Sequence, residues 1–314
     1  MSKTTFLKIP MRVYHANIAS NFHVAGLPAM TAVDGFTHNL ERKLNQYLPD
    51  LEAQVDAWMY VVDGIEYQEG IQRYTCATNT KSEKGKLNAP MEDNKLATID
   101  QTILIQVTSN ARVVELRTLL EEGRMNAVFN RLMFAGGSTG VRISANSLVN
   151  KNRKVEFYET VEQAFERHSR GSMVIEDKTH ILNELGSGEE RLSRLIGLIS
   201  RKKNKEVNSD KKETEKQELS DSVEVEEYLG NLVPVAIGYQ RLGEASLKEG
   251  ARNPECKHFY AEPVIGMART RTVASMLANL NSKEDTCYPF WQNAKLNPEN
   301  ELADELYCVH RLTE

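Results

Sequence analysis

The sequence predicts an α+β fold. Three observations carry that expectation: a strand–helix–strand order that occurs twice in the first 150 residues, a shift to helical spacing and dense charge over 151–230, and a return to short apolar strands over 231–314. The expected layout follows: a core at 1–150, a helical insertion at 151–230, and at 231–314 a C-terminal extension of strands and a helix that completes the fold.

Phe6 to Tyr14 spaces Phe6, Ile9, Met11 and Val13 loosely enough for a first strand. Gly26 and Pro28 then punctuate a turn. Thr31 and Asp34 have capping-box spacing, with Asp in the usual Glu position, where its charge suits the positive end of a helix. Val33, Phe36, Leu40, Leu44 and Tyr47 recur at three- and four-residue spacing and give that helix one buried stripe. Arg42 and Lys43 fall in its expected last turn, and Pro49 stops it. Ala57 to Val62 is a strand ending at the turn pair Asp63-Gly64, and Ile71 to Thr78 is its candidate hairpin partner.

Lys81 to Lys95 is polar, with Gly85 and Pro90, and reads as a mobile loop or thumb. Thr102 to Thr108 is a strand, after which Ser109 or Asn110 caps a helix that buries Val113, Leu116, Leu119 and Leu120 and weakens or ends at Gly123. Arg131 to Phe134 and Val141 to Ile143 flank the glycine-rich stretch Gly136 to Gly140. This order is that of a ferredoxin-like or RNA-recognition-motif domain.

In the middle, Thr160 and Gln163 form a second capping box whose helix runs toward Gly171. Met173 to Ile175 is a short strand, and Ile181 to Ile199 is helical with Leu192, Leu195, Ile196 and Ile199 on one face. Residues 201–227 hold seven cations and nine anions with almost no apolar residue, the pattern of a disordered or partly helical surface insertion. Leu232 to Tyr239 is an apolar strand interrupted by Pro234, hence an edge strand or a bulge.

The chain has 314 residues, 40% of them hydrophobic, and a mean hydropathy of −0.48, values of a soluble globular protein. No run approaches the roughly 20 apolar residues of a membrane helix. Met1 to Pro10 lacks the apolar region of a signal peptide, so a cytoplasmic protein is expected. Cys76, Cys256, Cys287 and Cys308 lie far apart without C-x-x-C spacing, which argues for reduced thiols rather than zinc or disulfides. No P-loop, H-E-x-x-H, G-x-S-x-G or dinucleotide fingerprint occurs, so no catalytic residue, metal or cofactor is expected. The net charge of −5 counts against a simple nucleic-acid binder, although eight cations against four anions over 124–170 make the middle locally basic.

Four ordered blocks carry a family resemblance: Gly26 to Leu44, Arg131 to Ser138, Asn231 to Tyr239, and His258 to Met267. Together they resemble the Cas five subunit of type I-F CRISPR complexes, also called the second Csy protein. Asp34 departs from the larger apolar residue expected there, and the capping role accounts for it. The resemblance implies a non-catalytic subunit of a surveillance complex in antiviral defence or RNA-guided DNA targeting. Such a subunit binds the 5′ handle of the guide RNA and caps the backbone filament. Its implied partners are the crRNA, a large Cas subunit that reads the PAM, the first backbone subunit, and target DNA near the PAM. Guide–target pairing reads the sequence, while the protein reads backbone shape and a short fixed tag.

Single-stranded RNA calls for amides and cations at phosphates, and rings or amide side chains at splayed bases. Asn17 and Asn21 are candidates for base edges or turn formers, and Gly26 lets backbone approach a phosphate. His38 and Arg42 lie one helical turn apart and share a face, Arg42 being a phosphate ligand or a surface cation. Gly136 and Gly137 open the backbone to RNA or simply make a hairpin turn, and Arg142 follows on a strand. Tyr239 offers a stacking ring or a core side chain, with Arg241 beside it. Arg269 and Arg271 point the same way on an extended segment and form the best basic pair. Two other readings remain open: a guide-processing endoribonuclease, with His38 as the histidine to test, and a general RNA-binding protein outside CRISPR.

Overall fold

Alternation of apolar and polar side chains along three long strands builds the sheet of the first unit. A computed structural model describes residues 2–19, 26–67, 72–75, 91–130, 132–141, 154–184, 232–247, 250, 255–281, 288–293 and 306–311. The chain divides into two units, Met1–Ser169 and Arg170–Glu314. The 156–168 segment falls within the first unit.

The first unit runs β1 (Lys3–Asn17), α1 (Met30–Tyr47), a 3-10 turn (Pro49–Leu51), β2 (Gln54–Tyr67), β3 (Gln72–Thr75), β4 (Met91–Asn94) and β5 (Leu96–Ser109). It continues with α2 (Val113–Glu121), α3 (Asn126–Phe129), β6 (Met133–Phe134), β7 (Gly137–Val141), β8 (Glu156–Tyr158) and α4 (Val161–Phe165). The sheet order is β2-β5-β1-β7-β6, all antiparallel, and β8 joins β1 at Phe6–Lys8 below the stretch that β7 takes. The 71–78 segment is not the partner of the second strand. Its described part, β3, pairs with β4 as a separate two-stranded ribbon.

One face of this sheet packs on α1. Leu7, Ile9, Trp58, Tyr60 and Ile103 are buried there with Val33, Phe36, Leu40 and Leu44 of the predicted helical stripe. Phe134 closes the layer, its ring 6.0 Å from Phe36 and 6.1 Å from Tyr60. The expected capping box at Thr31–Asp34 does not form. Ala29 is the N-cap, without a side-chain bond, and Thr31 lies inside the helix. Asp34 is buried instead and accepts the indole N–H of Trp58 at 3.2 Å, which explains a carboxylate where an apolar residue is expected. Arg42 and Lys43 precede the last turn, which holds no cation. By contrast Thr160 does cap α4, accepting from the Gln163 N–H at 3.3 Å.

The second unit holds β9 (Met173–Asp177), α5 (Ile181–Glu184), β10 (Leu232–Leu247), β11 (Lys257–Thr272), α6 (Val273–Asn281), β12 (Trp291–Asn293) and β13 (Leu306–Arg311). Its antiparallel order is β12-β13-β10-β11-β9. Pro234 is tolerated because β13 pairs with β10 at Gly238–Gln240, beyond it, and the strand bulges just after it, between Ala236 and Gly238. The helix expected over 181–199 is described only as far as Glu184, and the rest of it, with the charged 201–227 segment, lies outside the described residues.

Candidate nucleic-acid interface

Backbone hydrogen bonds draw three of the candidate positions into one junction at the end of β1. The Asn17 N–H donates to the Ala135 carbonyl at 2.9 Å, and the Gly26 N–H donates to the Ile18 carbonyl at 3.0 Å. Asn17 is exposed, and its Oδ1 accepts the Ala19 N–H at 2.9 Å, which fixes the turn leaving the strand. Ala135 (φ 46°) and Gly136 (φ 75°) form the two central residues of the β6–β7 turn, both left-handed as the tightest hairpins require. Among the described residues, no atom beyond its two chain neighbours lies within 4 Å of where a Gly136 Cβ would stand, and the residue is exposed. Gly137 has another role. A Cβ on it would lie 2.5 Å from the Tyr14 carbonyl oxygen, so its glycine lets β7 close on β1.

His38 and Arg42 are exposed and lie one turn apart on the outer face of α1, as their spacing predicts. Their neighbour Lys43 donates to the Asn130 carbonyl at 2.6 Å. Asn21 and Arg142 lie outside the described residues.

Three residues that the sequence reading did not single out stand beside the junction. Tyr14 is 45% exposed, and the Arg12 guanidinium lies over its ring, 5.7 Å from the centroid. His15 follows at φ 58°, in a bulge between the pairs Val13↔Ile99 and Ala16↔Ala97. Strand alternation puts Tyr14 on the face away from the core, which was the available signal.

In the second unit, Tyr239 is half-exposed and shares a face of β10 with Arg241, with Tyr307 of β13 paired across from Tyr239. Arg269 and Arg271 do point to one side, the side of Glu176 across β9, but they are not an exposed pair. Arg271 is 5% exposed and its Nε lies 3.6 Å from Glu176, so this member of the basic pair faces a buried carboxylate.

Buried polar groups beneath the first sheet are held internally. Lys8 donates to the Ala164 carbonyl at 2.6 Å; burial pulls its pKa down, against the charges of Asp63 and Glu156. Asp63 accepts from Thr102 and pairs with His168 at 2.9 Å. The Tyr60 hydroxyl donates to Gln101, and burial, then the charge of Asp63, push its pKa far up. Between α2, β8 and α4 lies an open groove of about 600 Å³. In it Arg117 donates to the Phe157 carbonyl and stacks over Tyr158. Burial raises the Glu156 carboxyl there, but hydrogen bonds from Tyr158 and Lys154 outweigh it and leave the group below its ordinary value.

No helix among the described residues is long and apolar enough to cross a membrane. A family model described as CRISPR-associated protein (Cas_Csy2) matches residues 7–300. Comparison with curated proteins finds no match.

Proposed function

The chain belongs to the Cas_Csy2 family of CRISPR-associated proteins, subunits of the type I-F Csy complex, and we propose that within that complex it holds the 5′ handle of the crRNA without cleaving it. It caps the backbone filament, between the large subunit and the first backbone subunit and near PAM-proximal target DNA, in the cytoplasm. The observation that carries this reading is the family match over 7–300. The strand order β2-β5-β1-β8, with α1 and α2 in the connections, supports a ferredoxin-like, RNA-recognition-type core. The open turn at Gly136 beside Asn17 supports RNA contact at the end of β1, and exposed Arg42 supports a phosphate contact on α1.

The test is a titration of the protein, assembled with its large-subunit partner, against RNA bearing the native handle and against the same RNA with the handle scrambled. Tight binding to the native handle alone, with intact RNA recovered, is the expected result. Equal and salt-sensitive binding to both sinks handle recognition. Cleaved product that disappears on His38→Ala favours an endoribonuclease instead. Arg42→Ala is expected to reduce the salt slope of log K by about 0.7, one single-strand phosphate contact.

A further inference from the structure

Among the described residues, the face of the first sheet opposite α1 is covered in one half and open in the other. In the covered half, Lys8, Asp63 and Thr102 lie beneath the 160–168 segment, tied to it by the Lys8–Ala164 bond and the Asp63–His168 pair. Beyond Pro10 the same face carries Arg12 and Tyr14, and both reach solvent, Arg12 with 37% of its side chain exposed.

Arg12 is clamped. Its Nη1 donates to Asp100 at 2.9 Å and its Nη2 to Glu66 at 3.0 Å, which holds the guanidinium over the Tyr14 ring. A cation held against a ring fixes the ring in turn. The rest of the phenol is thereby presented in one orientation, with less rotamer freedom left to lose on binding. At this point β1 bulges: Tyr14 and His15 together oppose Thr98, and His15 adopts a left-handed backbone that non-glycine residues rarely enter. A bulge re-aims the side chains around it, and strain of this kind is retained where the surroundings enforce it. The core does not need the ring, because the buried side chains of β1 nearby, Met11 and Val13, point to the α1 face.

We propose that Tyr14 is a stacking platform for one splayed base of the guide RNA, with Arg12 as its positioning residue. This rests on the handle-binding reading and deepens it to one contact. A solvent-facing ring on the open side of an antiparallel sheet whose other side is covered by a helix is how RNA-binding sheets take unstacked bases. The two carboxylates neutralise Arg12, so the site reads a base plane rather than a phosphate, and stacking tolerates any base. The site also continues into the junction already described, through the Asn17–Ala135 bond and the open Gly136 turn.

The experiment uses the full chain assembled with its partner subunits and native-handle RNA carrying 2-aminopurine at one position at a time. In the wild type one position is quenched. Tyr14→Ala abolishes that quench and weakens binding about tenfold, and Tyr14→Phe retains both. Arg12→Ala leaves the same position quenched, but less deeply. Unchanged quenching and affinity in Tyr14→Ala overturn the proposal. Equal loss in Tyr14→Phe overturns stacking in favour of a hydroxyl contact. Lost subunit assembly with RNA quenching intact makes the ring a protein contact and also overturns it. If scrambled RNA binds as well as native RNA while Tyr14→Ala still removes a quench, handle recognition falls and the stacking platform stands.

Discussion

Glu176 gives the sharpest test of how the second unit is held together. It is 1% exposed, with Lys178 Nζ at 3.2 Å, Arg271 Nε at 3.6 Å and Arg311 Nη1 at 3.7 Å. The side chains of Lys178 and Arg271 are themselves only 8% and 4% exposed. Glu176→Gln keeps the shape and an acceptor oxygen but removes the charge, leaving buried cations facing one another. Removing one partner of a buried ion pair costs about 3–5 kcal/mol, and the retained carbonyl and the part-exposed Arg311 put this case near the lower end. With a urea slope of about 2 kcal/mol per M, the unfolding midpoint falls by about 1.5 M. The chain has two tryptophans, and they divide between the units: Trp58 bonds to Asp34 in the first, and Trp291 donates to the Ile175 carbonyl at 2.8 Å in the second, next to Glu176. Fluorotryptophan labelling therefore follows each unit by its own NMR signal. The Trp291 midpoint is expected to drop, and the drop should survive added salt because buried pairs are weakly screened. A Trp291 midpoint equal to wild type, or a drop that vanishes in salt, refutes the assignment of Glu176 as the buried counter-charge. The same assignment makes Arg271→Ala a stability variant whose folded form keeps its RNA affinity.

Three further outcomes follow from particular contacts. Gly137→Ala sets a methyl 2.5 Å from the Tyr14 carbonyl and 2.9 Å from the Ala16 nitrogen, both backbone atoms, so it is expected to cost about 1–3 kcal/mol and to speed amide exchange along Val13–Ala16; wild-type exchange rates there count against the close-approach role. Asp34→Leu supplies the apolar residue expected at that position yet removes the acceptor of the buried Trp58 N–H, at a cost of about 1–3 kcal/mol read from the Trp58 signal, and a more stable variant sinks the hydrogen-bond explanation. The Tyr60 pKa is raised in the folded state, so the stability it contributes is full below its unfolded value near pH 10 and is lost as pH climbs through the folded value. In an alkaline titration part of the tyrosinate absorbance should thus appear only as the fold is lost, and complete ionisation with near-ultraviolet dichroism intact contradicts it.

The strands were legible wherever alternation was strong, and too short where it was not. β2 and β5 run past their apolar segments because polar residues such as Thr98 and Glu66 still pair in register and a bulge between Val62 and Gly64 absorbs the slip. The apolar stripe of α1 was legible from spacing, but its cap was not. Local spacing suggested Thr31 and Asp34, and a tertiary partner, Trp58, claimed the carboxylate. The shared direction of Arg269 and Arg271 was likewise readable, whereas the buried pairing of Arg271 depends on Glu176, a residue far off in sequence that only strand pairing brings near. Tyr14 is a related case: alternation sets it opposite Ile9, Met11 and Val13, but its 45% exposure depends on long-range pairing and on how much of that face is covered.

These cases share a cause that bears on the proposed RNA contact. Counting cations along the sequence treats each as available to a phosphate, yet contacts within the fold claim many of them. Arg12 is held by Asp100 and Glu66, Lys8 by the Ala164 carbonyl, Lys43 by the Asn130 carbonyl, Arg117 by the Phe157 carbonyl, and Arg271 by Glu176. A chain of net charge −5 that uses its cations in this way gains less from bulk electrostatic attraction than a basic RNA binder does. Its hold on RNA then has to come from groups that act at contact range: open backbone at Gly136 and a fixed ring at Tyr14, which place the strand whatever its bases, and an amide at Asn17, which reads a base edge. The base-edge contact depends on base identity and geometry and little on ionic strength. Discrimination between native and scrambled handles should therefore persist as salt rises, even while total affinity falls.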